Sequence, residues 1–117
     1  MASQAAGSVL SIEIERKGEV ALVKLRGRVI AGVNNLLYSK VRPLIPETKR
    51  IVLDLAEVTQ MDSMGLGALV RLYVSAKNAG CSLELMHIGK RIRELLGITH
   101  LLEVFTIIGE RGINLRF

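Results

Sequence analysis

The chain has 117 residues, half of them hydrophobic and 3% aromatic, with sixteen Lys and Arg against eleven Asp and Glu for a formal charge of +5. That length and apolar content suit one domain with a core of Leu, Ile, Val, Ala and Met, and exclude two ordinary domains. The single cysteine, Cys81, rules out an internal disulfide, no stretch approaches the roughly 18 apolar residues of a membrane span, and the first eight residues lack the basic start and apolar run of a secretory signal.

These features predict a cytoplasmic protein with a disordered lead over residues 1–8 and a single domain over residues 9–117. From Leu10 to Glu15 the sequence alternates, Leu10, Ile12 and Ile14 against Ser11, Glu13 and Glu15, as a half-buried strand does. Arg16-Lys17-Gly18-Glu19 supplies a turn into a more continuously apolar strand from Val20 to Arg26, so the chain opens on a hairpin. Gly27 and Gly32 bound a loop that breaks this strand. Asn34 or Asn35 can then cap a helix with Leu37, Val41, Leu44 and Ile45 on one face. Pro43 lies inside that pattern; it removes a helical hydrogen bond and clashes with the preceding turn, so the helix should stop near Arg42.

The chain is organised around Arg50-Ile51-Val52-Leu53-Asp54-Leu55, a buried strand, followed by a short linker and then Asp62-Ser63-Met64-Gly65-Leu66-Gly67 at the head of a helix. Leu66, Leu69, Val70, Tyr73 and Ala76 form its apolar stripe, and Gly80 is placed to end it. Ser82 to Met86 predicts a strand and Lys90 to Leu96 a short helix with Ile92, Leu95 and Leu96 inward. Val104 to Ile108 is strand-like, and a turn at 109–112 with alternation over 113–117 predicts a closing hairpin. Strands separated by helices after a first hairpin give an α/β fold, a mixed sheet of four to five strands packed with three or four helices, in which sites lie beyond the carboxyl ends of parallel strands. The Asp62-Ser63 joint is such a place.

Ser63 falls at or next to the N-cap of the second helix. There its hydroxyl can cap a free N–H, or, if phosphorylated, the phosphate can use the free N–H groups and the positive end of the helix dipole. A nucleophile is disfavoured, because the Gly-x-Ser-x-Gly elbow is absent and no histidine is placed as its base. Gly65 and Gly67 lack the lysine of a Walker motif and the third glycine of a dinucleotide fingerprint, so close helix packing explains them better. His87, His100 and Cys81 do not share metal-ligand spacing with the carboxylates. No cofactor, metal or catalytic activity is expected. The densest basic group, Lys90, Arg91 and Arg93, has no interleaved stacking aromatics; a solvated helix face is expected in preference to direct nucleic-acid contact.

The run Ile51-Val52-Leu53-Asp54-Leu55 leading into Met61-Asp62-Ser63-Met64-Gly65-Leu66-Gly67, within this order of strands and helices, resembles the STAS domain of anti-sigma factor antagonists and sulphate transporters over about residues 9 to 108. The resemblance implies a bacterial partner-switching protein. Ser63 matches the serine phosphorylated by a kinase that is itself the anti-sigma factor, and a phosphatase restores the binding form. Asp62, Met64, Gly65 and Leu66, together with Gly27, Arg28 and Ile30, would make the partner surface. The alternative within the family is an unphosphorylated STAS subunit that regulates a transporter or other assembly, or senses a ligand. Two departures stand out: Ile30 occupies a position where phosphorylated members commonly carry an acidic residue, and the usual final amphipathic helix is replaced by a Gly-interrupted tail. The exposed edge of a terminal hairpin would offer a surface for a homodimer.

Overall fold

The computed structural model describes residues 9–108; the expected lead over 1–8 and the closing hairpin over 109–117 lie outside the described residues. Five strands form one sheet in the order β1-β2-β3-β4-β5, with β1 (Leu10–Lys17) antiparallel to β2 (Val20–Val29). Strands β3 (Arg50–Met61), β4 (Ser82–Met86) and β5 (Thr106–Ile108) follow, each parallel to its predecessor. Three helices make the crossovers: α1 (Asn34–Val41), α2 (Ser63–Asn78) and α3 (Lys90–Ile98). This is the mixed α/β arrangement expected from the sequence.

The hairpin is tighter than its sequence suggests. Arg16 and Lys17 are still in β1, and Lys17 pairs with Val20 across a two-residue turn in which Gly18 has φ +60°, a backbone that glycine adopts without a steric penalty. Ile14 stays 40% exposed, so the buried face of β1 ends at Ile12. In β3, Ile51, Leu53 and Leu55 face the helices while Val52 joins Met86 and Leu22 in a second cluster. That burial on both sides is why this strand reads as a continuous apolar run.

Two expectations about helix α1 separate. It stops at Val41 and gives way to a 3-10 helix, Arg42–Glu47, that holds Pro43 and Pro46, as the proline argument requires. Neither asparagine caps it: Val33 is the N-cap residue, and no side chain bonds there. A turn closed by Val33 N–H donating to the Ile30 carbonyl (3.1 Å) delivers Val33 and Asn34 into the core, both buried. In α2 the sheet-facing stripe is Leu66, Leu69, Leu72 and Ala76. Val70 and Tyr73 are only partly covered, and Tyr73 turns sideways to meet Phe105 edge-on at 5.2 Å between ring centroids. Gly80, at φ +74°, ends this helix as expected.

The core lies between the sheet and the three helices. On the opposite face Arg50 and Glu84 form a part-buried pair: Arg50 Nε donates to both Glu84 oxygens at 2.9 Å, Nη2 donates to Oε1 at 2.8 Å, and Ser82 Oγ donates to Oε2 at 2.8 Å. Every acceptor site of the carboxylate that faces protein is therefore used, which is what allows Glu84 to be 8% exposed.

Candidate functional site

The expected central strand is longer than its apolar run. It continues past Leu55 through Glu57, Thr59 and Gln60 to Met61, pairing Val58 with Gly27 and Met61 with Val29 across two register shifts. Gly27 accordingly lies inside β2 and does not end it. Its φ is +110°, and a Cβ there would stand 2.1 Å from the Val9 carbonyl oxygen. This extension removes the linker expected before Asp62 and brings the end of β2 directly against the head of α2.

Asp62 is the residue that joins the two. It is the N-cap of α2, and its Oδ1 accepts from the backbone N–H groups of Met64 and Gly65, both at 3.0 Å. Oδ2 accepts from Ala31 N–H at 2.9 Å, while Asp62 N–H donates to the Val29 carbonyl at 3.3 Å. The bonds from Ala31, Gly65 and Met64 hold the Asp62 carboxyl below its ordinary range. One carboxylate thus ties the loop after β2 to the first turn of α2. Asp and Ser are both good N-caps; the sequence puts Ser63 at or next to the cap, and the structure gives the role to Asp62.

Ser63 is therefore the first residue of the helix, exposed, and its hydroxyl has no hydrogen-bond partner among the described residues. The expected local cradle for a phosphate changes with it. The N–H groups of Met64 and Gly65 are already taken by Asp62, so a phosphate on Ser63 would meet an adjacent carboxylate in place of free donors, and would stand out into solvent.

The other expected surface residues divide by burial. Met64 is 51% exposed and Arg28 is exposed, while Ile30 is partly buried against the core. Leu66 is 7% exposed and faces inward. Gly65 is buried, and a Cβ on it would lie 1.9 Å from the Val29 carbonyl oxygen, so its part is to let α2 approach β2. Gly67, by contrast, would meet nothing within 4 Å. Of the expected surface residues, Ser63 and Met64 are thus exposed on the helix and Arg28 on the end of β2, with Ile30 partly buried in the loop that follows.

Among the described residues there is no group of three or more His, Cys, Asp or Glu able to hold a metal. Asp54, within the apolar run of β3, pairs with His87 at 3.0 Å (Oδ1 to Nδ1), with no third ligating group among the described residues. No described helix is long and apolar enough to cross a membrane.

The family model for the STAS domain matches residues 11–112, and the chain belongs to that family. It is 26% identical over 98 residues to the anti-sigma-B factor antagonist of Bacillus subtilis (strain 168), spanning 84% of this chain and 90% of that one. Its fold is similar to that of an anti-sigma factor antagonist from Mycobacterium paratuberculosis (TM-score 0.76, 18% identity, 87% of each chain). It is also similar to Bacillus SpoIIAA, an anti-sigma factor antagonist, in its unphosphorylated form (TM-score 0.72, 16% identity, 86% of this chain and 90% of that chain) and in its phosphorylated form (TM-score 0.68, 16% identity, 86% and 93%).

Proposed function

We propose that this chain is an anti-sigma factor antagonist that works by partner switching in the cytoplasm. In its unphosphorylated form it binds an anti-sigma factor that is also a serine kinase; phosphorylation of Ser63 releases that partner, and a phosphatase restores binding. The observation that carries this reading is the exposed Ser63 hydroxyl, which has no hydrogen-bond partner among the described residues because Asp62 performs the capping. A serine engaged in capping would have to leave its bond to meet a kinase; this one is free to react.

The physical basis of the switch is at the interface. A phosphoserine adds roughly −1.5 to −2 charges. With the first-turn donors committed to Asp62, little in the chain compensates that charge, and the fold should change little. A partner seated on Ser63 and the half-exposed Met64 would have to strip water from the dianion beside an apolar side chain, a cost that falls on the complex alone. The chain in this reading is a substrate and a binder and catalyses nothing. Supporting it are the relatives named as anti-sigma factor antagonists and the existence of one of them, SpoIIAA, in phosphorylated form.

The test is phosphate mapping. The chain is incubated with ATP and each serine kinase of the histidine-kinase-like ATPase type from its host, then digested and analysed by mass spectrometry. One phosphate on Ser63, abolished in Ser63→Ala, is the expected result. Phosphate on another residue, or none with any such kinase, would overturn the reading.

A further inference from the structure

On the outer surface, where α1 and the 3-10 segment meet α2, lies a side-chain cluster that the proposed switch does not use. The Arg71 guanidinium sits over the Tyr38 ring, 4.1 Å from its centroid, and Arg42 approaches the same ring at 5.9 Å. The Tyr38 hydroxyl and Ser75, one helical turn after Arg71, face the same cleft. Tyr38, Arg42 and Ser75 open onto a cleft of about 660 Å³ whose remaining wall includes Pro43, Ile45 and Pro46.

The charge balance of the cluster is one-sided. Among the described residues neither Arg42 nor Arg71 has a carboxylate within salt-bridge distance, whereas Arg16, Arg26 and Arg50 each do. Two guanidiniums held on one ring repel each other, and stacking on an aromatic face returns only about 0.5–1 kcal/mol at an exposed position. An oxyanion bound by both would turn that repulsion into attraction. The planar donor fork of arginine matches phosphate oxygens two at a time, and the hydroxyls of Tyr38 and Ser75 add further hydrogen-bonding groups at the edge of the same cleft.

We propose that Arg42, Arg71, Tyr38 and Ser75 form a binding site for a dianionic phosphate group, supplied as free phosphate or as a small phosphate monoester whose organic part lies on Pro43, Ile45 and Pro46. Phosphate fits better than carboxylate because its three free oxygens and two charges can serve both guanidiniums at once. The Ser75 side chain and the charges of Arg42 and Arg71 hold the Tyr38 hydroxyl below its ordinary pKa, consistent with a locally positive field. This site also gives part of the excess basic charge a role separate from Ser63.

The full chain, labelled with 15N, is titrated with inorganic phosphate and with phenyl phosphate at pH 8 and constant ionic strength, following backbone and arginine Nε–H signals. Expected are saturable shifts centred on Tyr38, Arg42, Arg71 and Ser75 with millimolar affinity, weakened about tenfold or more by Arg42→Gln or Arg71→Gln and unchanged by Lys90→Gln. Both arginines are exposed, so the unperturbed part of each variant's spectrum reports that it is folded. Tighter binding of phenyl phosphate assigns the site to monoesters, and equal binding assigns it to free phosphate; either supports it. Shifts that rise linearly without saturating, or saturable binding that both glutamine variants leave intact, would overturn it.

Discussion

Helix α2 contains two glycines two residues apart, and replacing each by alanine should move stability in opposite directions. In Gly65→Ala the new Cβ would lie 1.9 Å from the Val29 carbonyl oxygen, 2.7 Å from its carbon and 2.8 Å from Val29 Cγ1. Two of these are backbone atoms of β2, which cannot rotate away. To reach ordinary contact the head of α2 must retreat by roughly 1.5 Å, which is enough to break hydrogen bonds of about 3 Å. The bonds at stake are those that cross from the helix head to the end of β2 and its loop, Ala31 N–H to Asp62 Oδ2 and Asp62 N–H to the Val29 carbonyl. Overpacking of this kind costs about 1–3 kcal/mol, and the lost bonds to Ala31 and Val29 place Gly65→Ala at the upper end. Gly67→Ala meets nothing within 4 Å and should gain about 0.5–1 kcal/mol from helix propensity and a less disordered unfolded chain. Paired urea and thermal melts followed by circular dichroism decide it. The midpoints should split, falling by roughly 8–12 °C for Gly65→Ala and rising by roughly 2–4 °C for Gly67→Ala, at about 4 °C per kcal/mol for a chain of this size. A Gly65→Ala variant as stable as the parent, or a Gly67→Ala variant that is the less stable of the two, would refute the close approach of α2 to β2.

Three further outcomes follow from particular contacts. The Asp62 carboxyl is held below its ordinary value of 3.8 by backbone donors, so its contribution is present above that value and is lost as pH falls through the lower folded one; Asp62→Asn should flatten the acid limb of a stability–pH curve below about pH 4. An unchanged acid limb would show that those bonds do not favour the charged form. Arg50→Met strands the Glu84 carboxylate at 8% exposure and should cost about 3–5 kcal/mol, most of it recovered when Glu84 is also made apolar; denaturant titration of the double-mutant cycle measures this, and additive losses would contradict it. Burial raises the Cys81 thiol above its ordinary pKa, so its reaction with an aromatic disulfide reagent at pH 8 should be slow and should accelerate with denaturant in step with unfolding. Rapid labelling of the native chain would show that Cys81 is accessible.

The architecture was legible where hydrophobic period and turn chemistry carry the signal. The run Ile51 to Leu55 is buried on both faces and reads as such, the hairpin is marked by Gly18, and Pro43 ends α1 where steric reasoning puts it. The legible signal faded where pairing, and not burial, holds the backbone. Glu57, Thr59 and Gln60 extend β3 because Arg26 to Val29 of β2 pair alongside this stretch across two register shifts, and no local period announces that. Glu84 reads as the polar side of an alternating strand; it is buried because Arg50, 34 residues earlier, stands across from it. At the candidate site the position was legible and the division of labour was not. The sequence puts the cap at or next to Ser63; the bonds from Met64 and Gly65 N–H to Asp62 Oδ1 give it to Asp62 and leave the Ser63 hydroxyl without a partner among the described residues.

The account stands most directly on what a phosphate at Ser63 does to partner binding. The chain carrying phosphoserine at position 63, and its unmodified counterpart, would be titrated calorimetrically against the anti-sigma kinase identified by phosphate mapping, with the fold of each monitored by circular dichroism. The account predicts that both forms are folded alike and that phosphoserine weakens binding about a hundredfold or more, as expected when a dianion must be desolvated at an interface. Equal affinities for the two forms would contradict it, and would leave Ser63 as an exposed helix residue with no part in switching.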